Sequence, residues 1–217
     1  LKEPSGGSLA PVSVDIWKEI VSWISSYPQT DSQVRLSAAL GESEQATSIA
    51  RHLPAEFTFA KAGPSQIRRE SEMMGLWNSV RSDLESSVEL VAVAYADDDM
   101  AHSLKAESIL ELAARCGLRR ILVDTFDKQR GSAIDLWGTR RMRAFARLAR
   151  KHQLWWSLAG SINLNQVSTL ANLFVDSDSC PDCVAVRGDL CDQDRDGSIR
   201  RDRLHVWETA LGQCTER

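Results

Sequence analysis

The sequence predicts an α/β protein, a (β/α)8 TIM barrel that lacks its first strand and helix and most of its second strand. Three observations lead there. Short apolar runs alternate with longer stretches of helical period, as repeated βα units around a parallel sheet require. The runs are almost continuously hydrophobic, as strands covered on both faces should be. Each ends in a small or polar cluster, ALGES, AKAGPS, YADDD, DTFDKQRGS, AGSIN or VRGD, and in such barrels the carboxyl ends of the strands and the loops after them carry the chemistry.

Taken in order, the opening LKEPSGGSL reads as the last two residues of a strand and the loop that follows. A helix is expected over 14–26, because Val14, Trp17, Ile20, Val21 and Ile24 share one face. Strands are expected over 33–40, 57–63, 88–96, 119–126, 154–161 and 183–188. Another amphipathic helix carries Ile109, Leu110, Ala113 and Ala114 on one side. Six strands are two short of closure. About 25 residues ahead of Leu1 would supply the rest and approach the roughly 250 residues usual for the fold. The expectation is one domain over 1–217, a barrel truncated at its amino end. A Rossmann-type sheet is the other candidate; it calls for a GxGxxG turn after a strand, and the sequence has none.

Composition narrows the partners. A net charge of −4 with 43% hydrophobic residues, and no apolar run of about 18, predicts a soluble protein with no membrane partner. Arg140, Arg141, Arg143, Arg147, Arg150 and Lys151 have helical spacing without interleaved aromatics, so they read as a solvated helix face, and no nucleic acid is expected. Five cysteines at uneven spacing suit reduced thiols in a cytoplasm. Cys180 and Cys183 form a CxxC without a second ligand pair, so they read as core or loop cysteines rather than a zinc or redox site. Residues 192–199, DQDRDGSI, match the first eight positions of an EF-hand loop, but position twelve is Arg203, a cation where calcium wants a bidentate Glu. No metal and no cofactor are expected.

The lysines are more informative. Only six of the 26 basic residues are lysine. Lys18, Lys105 and Lys151 fall on expected helices and read as surface. Lys2, Lys61 and Lys128 fall at or just past strand ends. In FTFAKAG, Lys61 stands between alanines inside an apolar strand. Desolvation lowers a lysine pKa and yields an amine able to act as base or nucleophile, which arginine cannot become; a lysine that snorkels or pairs with a carboxylate is the structural alternative. Lys128 lies four residues after Asp124, a spacing that suits either a shared pocket or an ion pair ordering the loop. Three lysines at one rim suit carbonyl chemistry, in which one amine forms a Schiff base and the others transfer protons and tune it. The loops after the last two strands would bind phosphate, with Gly160 and Ser161 offering backbone amides, Arg187 a permanent charge and Gly188 beside it; ordinary turn geometry is the structural alternative for Gly160 and Gly188.

Together and in order, LKEPSGGSL, RLSAALGE, FAKAG, VAVAYAD, LVDTFDK with GSAIDLW after it, LAGSI, and VAVRGDLC followed by DRDGSI span almost the whole chain. They resemble the (5-formylfuran-3-yl)methyl phosphate synthase family, aldolase-like barrel enzymes of methanofuran biosynthesis. Bacterial members, from organisms with methanopterin-type one-carbon carriers, look more similar than archaeal ones. The resemblance implies a cytoplasmic lyase that joins two glyceraldehyde 3-phosphates into 4-(hydroxymethyl)-2-furancarboxaldehyde phosphate, losing phosphate and water. It implies that Lys2 forms the Schiff base, that Lys61 accepts the proton, and that Asp124 and Lys128 support them. The family aspartate two positions before the Schiff-base lysine has no counterpart, since the sequence starts at Leu1. Other readings of the same residues are a different class I-type phosphosugar aldolase or isomerase, or an inactive barrel fragment that binds only phosphate or a partner. The expected partner is a small phosphorylated substrate, and open sheet edges leave a homo-oligomer open.

Overall fold

The computed structural model describes residues 1–26, 34–174, 178–192 and 196–215. After a 3-10 turn at Pro4–Gly6 come α1 (Val14–Ser26), β1 (Ser37–Glu42), α2 (Ser43–Ala50), β2 (Phe59–Gly63), α3 (Glu70–Asp83) and β3 (Glu89–Tyr95). The alternation continues through α4 (Asp98–Ala101), α5 (Ala106–Arg115), β4 (Arg120–Asp124), α6 (Ala133–Lys151), β5 (Trp155–Leu158), α7 (Val167–Phe174), β6 (Cys183–Val184) and α8 (Arg201–Thr215). The strands form a six-stranded sheet in sequential order, each parallel to the next. This α/β arrangement is compatible with part of a TIM-like barrel. All six carboxyl ends therefore lie on one rim.

Side-chain alternation divides the sheet into two faces. Ala38, Leu40, Ala60, Ala62, Leu90, Ala92, Ala94, Ile121, Val123, Trp156 and Leu158 join the large core shared with the helices. Ala39, Val91, Val93, Tyr95, Leu122 and Ala159, with Leu9 and Ala101, form a smaller cluster on the other face, against which Phe59 and Phe126 pack. At the amino-terminal end of that face the Arg120 guanidinium lies between the Phe59 and Trp155 rings, 4.9 and 4.7 Å from their centroids, and donates to Glu89 at 3.0 Å. Cation–π contact and ion pair together hold this charge where solvent is scarce.

Every expected strand is present, with shifted ends. Residues 34–36 are not strand, although the Leu36 carbonyl already accepts from Thr58 and Phe59, and residue 33 lies outside the described residues. β1 instead runs on through Gly41, whose φ of +96° lets the register slip between Ala39 and Glu42. Glu42, read from the sequence as loop, is thus part of the strand. β6 is two residues long, because the ladder stops after Ala185 donates to Leu158 and the backbone turns at Arg187 into a 3-10 turn, Gly188–Leu190.

The expected solvated face of α6 needs a correction. Arg140, Arg147, Arg150 and Lys151 are exposed. Arg141 and Arg143 are half-buried: the first stacks 4.4 Å from the Trp137 centroid and donates to Glu107 at 2.8 Å, and the second donates to the Asn172 carbonyl at 2.9 Å. Lys105 stands just before α5 rather than within it. Cys116, Cys180, Cys183 and Cys191 carry free thiols. The EF-hand-like stretch falls partly on 193–195, outside the described residues; Asp192 there accepts from Ser198 N–H at 3.0 Å.

Candidate active site

On the carboxyl rim the sheet opens into a cavity of about 450 Å³. All eight residues singled out in the sequence line it: Lys2, Lys61, Asp124, Lys128, Gly160, Ser161, Arg187 and Gly188. Its volume falls in the range of small-molecule sites.

Asp124 ends β4 and is 4% exposed. Lys128 Nζ donates to its Oδ1 at 2.5 Å and to Thr125 Oγ1 at 3.0 Å, and Lys2 Nζ lies 3.8 Å from Oδ2. Thr125 N–H also donates to Oδ1 at 2.8 Å. Burial pushes the Asp124 carboxyl up, but the Lys128 and Lys2 charges and these hydrogen bonds outweigh it and hold the group below its ordinary value. One carboxylate therefore bridges two amines from distant parts of the chain.

Lys61 sits in β2 between Ala39 of β1 and Val91 of β3, on the face of the smaller cluster. Its pKa is lowered because burial disfavours the ammonium, only partly offset by the Asp124 charge. A cavity-lining amine that yields its proton easily can act as a base or attack a carbonyl.

Lys2 is placed from both sides. The Leu1 N–H and carbonyl bond Ser37 O and Ala39 N–H, as a parallel strand would on the edge of β1 away from β2. Lys2 Nζ donates to Ser8 O at 3.0 Å, and the buried Ser8 hydroxyl reaches the carbonyls of Thr125 and Phe126 at 2.7 and 2.9 Å. The loop carrying Lys2 is fastened in this way to the loop carrying Lys128. Asp97, 2% exposed, braces that second loop by accepting from Phe126 and Asp127 N–H at 2.7 and 2.8 Å.

The opposite wall is made of loops. Gly160 has φ of +96°, and a Cβ there would come within 2.9 Å of Thr125 N, so only glycine fits this approach of β5 to β4. Its carbonyl accepts from Ala133 N–H at 2.9 Å. Arg187 and Gly188 enter the 3-10 turn after β6. Asp189 lines the cavity while its Oδ2 accepts from Trp207 Nε1 at 2.8 Å and Leu164 N–H at 3.2 Å, tying α8 to the loop after β5.

Further polar residues at this rim were not assigned to the site from the sequence, among them Arg203, which was read there only as a cation opposing calcium. Arg203 of α8 lines the cavity. Glu42 and Tyr95, at the ends of β1 and β3, are bonded to each other, and Glu42 Oε2 accepts from Ser65 N–H at 3.0 Å. Burial pushes the Glu42 carboxyl up against these two hydrogen bonds. Burial and the Glu42 charge push the Tyr95 phenol well above its ordinary value. A Cβ on Gly63 would lie 2.0 Å from Glu42 Oε2, so the carboxyl fills the space a side chain would take there. The signal was the glycine in FAKAG opposite a strand-ending glutamate, but it depends on register.

A parallel α/β sheet whose carboxyl rim gathers three lysines around one buried aspartate defines a class of protein with an amine-lined, carboxylate-bridged cavity. Within that class the chain belongs to the 4-HFC-P synthase family, whose model matches residues 1–208. It is 30% identical over 148 residues to "(5-formylfuran-3-yl)methyl phosphate synthase" of Archaeoglobus fulgidus, covering 66% of this chain and 60% of that protein. It is 26% identical over 159 residues to the proteins of the same name from Methanosarcina acetivorans and Methanosarcina barkeri, covering 72% of this chain and 64% of each. The chain thus spans less than two thirds of the length of these curated relatives.

Proposed function

We propose that the protein is a Schiff-base lyase that condenses two glyceraldehyde 3-phosphates to 4-(hydroxymethyl)-2-furancarboxaldehyde phosphate, with loss of phosphate and water, in methanofuran biosynthesis. The observation that carries this reading is Asp124 bridging Lys2 and Lys128 beside the easily deprotonated Lys61. In it, Lys2 attacks the carbonyl of one triose phosphate and expels water to form the imine. Lys61 takes the proton from the adjacent carbon, and the resulting carbon nucleophile adds to the aldehyde of the second molecule. Asp124 and Lys128 hold the charge distribution around the amine. Gly160, Ser161, Gly188 and Arg187 hold phosphate. The sequential parallel order of the strands, with Leu1 seated on the free edge of β1, supports a further proposal, that the sheet belongs to a (β/α)8 barrel.

Incubation with glyceraldehyde 3-phosphate and borohydride is expected to leave a reduced adduct on Lys2, located by peptide mass mapping, and Lys2→Ala is expected to abolish it. The depressed Lys61 favours one second assignment, with Lys61 as the nucleophile. An adduct that persists in Lys2→Ala and maps to Lys61 would establish that instead. A product with the near-ultraviolet absorption of a furan separates this lyase from an ordinary phosphosugar aldolase.

A further inference from the structure

Two of the residues that line the carboxyl-rim cavity, Lys2 and Leu9, come from one short loop. Its ends are drawn together where Glu3 N–H donates to the Ala10 carbonyl at 2.9 Å. Lys2 Nζ in turn donates at 3.0 Å to the carbonyl of Ser8, the residue bonded to Leu9. The amine and the leucine are therefore neighbours, and a carbon joined to Nζ comes to lie beside Leu9. That side chain has little freedom to yield. It is 1% exposed and belongs to the smaller cluster on this face of the sheet, together with Ala39 and Val91, the strand neighbours of Lys61. The Ser8 hydroxyl next to it is anchored to the carbonyls of Thr125 and Phe126. Leu122 and Ala159, which also line the cavity, lie in β4 and directly after β5 and form part of the sheet. Leu9 is the apolar wall that the loop bearing Lys2 brings with it.

We propose that Leu9 is a specificity-determining residue, a rigid wall beside Lys2 that fits an aldehyde phosphate of three carbons and rejects one of four. The proposal rests on the Schiff-base reading above, with Lys2 as the nucleophile, and adds to it what sets the length of the substrate. In that reading the substrate is held at both ends, its phosphate by the loops after β5 and β6 and its carbonyl carbon by the amine. An extra carbon cannot then be accommodated by sliding the chain outward. It is pushed toward Lys2, where it meets a side chain already packed from behind. A close-packed interior does not compress to admit one more carbon. An apolar wall that fits one chain length discriminates against the next by about 10–200-fold, and the hydroxyl on the added carbon, facing leucine, finds no partner there.

Rates of adduct trapping test this. The wild type, Leu9→Ala, Leu9→Val and Leu9→Met are each incubated with glyceraldehyde 3-phosphate or erythrose 4-phosphate in the presence of borohydride, and the reduced adduct on the peptide bearing Lys2 is followed by mass against time. The wild type is expected to trap the three-carbon compound about tenfold faster or more. Leu9→Ala is expected to bring the two rates within about threefold, chiefly by raising the four-carbon rate, because it opens the space of three carbons. Leu9→Val opens less and should shift the ratio the same way by a smaller factor, while Leu9→Met, close in volume, should keep it. A loop merely loosened by the substitution would lower both rates together and leave their ratio alone. Equal rates in the wild type, or a wild-type ratio in both Leu9→Ala and Leu9→Val, overturn the proposal and leave the Schiff-base reading standing. No adduct on Lys2 of the wild type with either compound overturns that reading, and the proposal with it.

Discussion

The two halves of the cavity are built on different principles. On the β1–β4 side, polar side chains project from strand ends into a crowded space, where Asp124 is balanced by Lys2 and Lys128 and proton affinities are pulled from their ordinary values. On the β5–β6 side, loops supply backbone groups and arginines whose charge no working pH removes. A site that must move protons needs groups that can be tuned, and rigid strands hold them. A site that must hold an anion needs donors that never change, and loops can present them. The contrast suggests that substitutions in the first half alter chemistry and stability together, whereas those in the second alter binding.

Asp124→Asn is the sharpest way to break the first half. It leaves Lys2 and Lys128, whose side chains are 23% and 17% exposed, without their shared counter-charge. The expected loss is about 3–5 kcal/mol by denaturant unfolding, with turnover lost alongside; unchanged stability would mean the amines find water as easily as they find the carboxylate. Next comes Gly160→Ala in the other half. The new methyl meets Thr125 at 2.9 Å with φ at +96°, so a loss of about 1–3 kcal/mol is expected, with weaker phosphate affinity measured by titration and Lys61 titration unmoved. The smallest effect is of opposite sign. Lys61→Met should end activity yet raise the melting temperature slightly at neutral pH, because burial works against the ammonium it removes. With the folded-state pKa below the unfolded value, the unfolded chain binds more protons across that interval, so wild-type stability recovers as pH rises toward the ordinary lysine value. The gap between the two proteins in melting scans should narrow accordingly.

Legibility in the sequence followed the range of the interactions. Each of the six strands could be read because an apolar run is a local property, and Lys61 stood out because a cation inside such a run is anomalous by itself. Asp124 and Lys128 are four residues apart and meet as that spacing allows. Glu42, Tyr95 and Arg203 were not legible, since each depends on something non-local. Glu42 needs the bulge at Gly41 and the absent side chain of Gly63, Tyr95 needs the register that brings β3 beside Glu42, and Arg203 needs α8 seated on Asp189 through Trp207. The end of β1 was misplaced for the same reason: a glycine that reads as a loop signal serves inside the strand as the residue that permits the bulge.

The Ser8 hydroxyl has a consequence in time. Its two acceptors lie 117 and 118 residues further along the chain, so the segment bearing Lys2 is clamped only after β4 and its loop have come home, and contacts of such long range form late. Until then Lys2 is an ordinary amine on an unfastened segment, no more reactive toward a stray aldehyde than any lysine in an unfolded chain. Assembly of the sheet thus works as a safety catch, arming the nucleophile proposed here only once the enclosure that would confine its products exists.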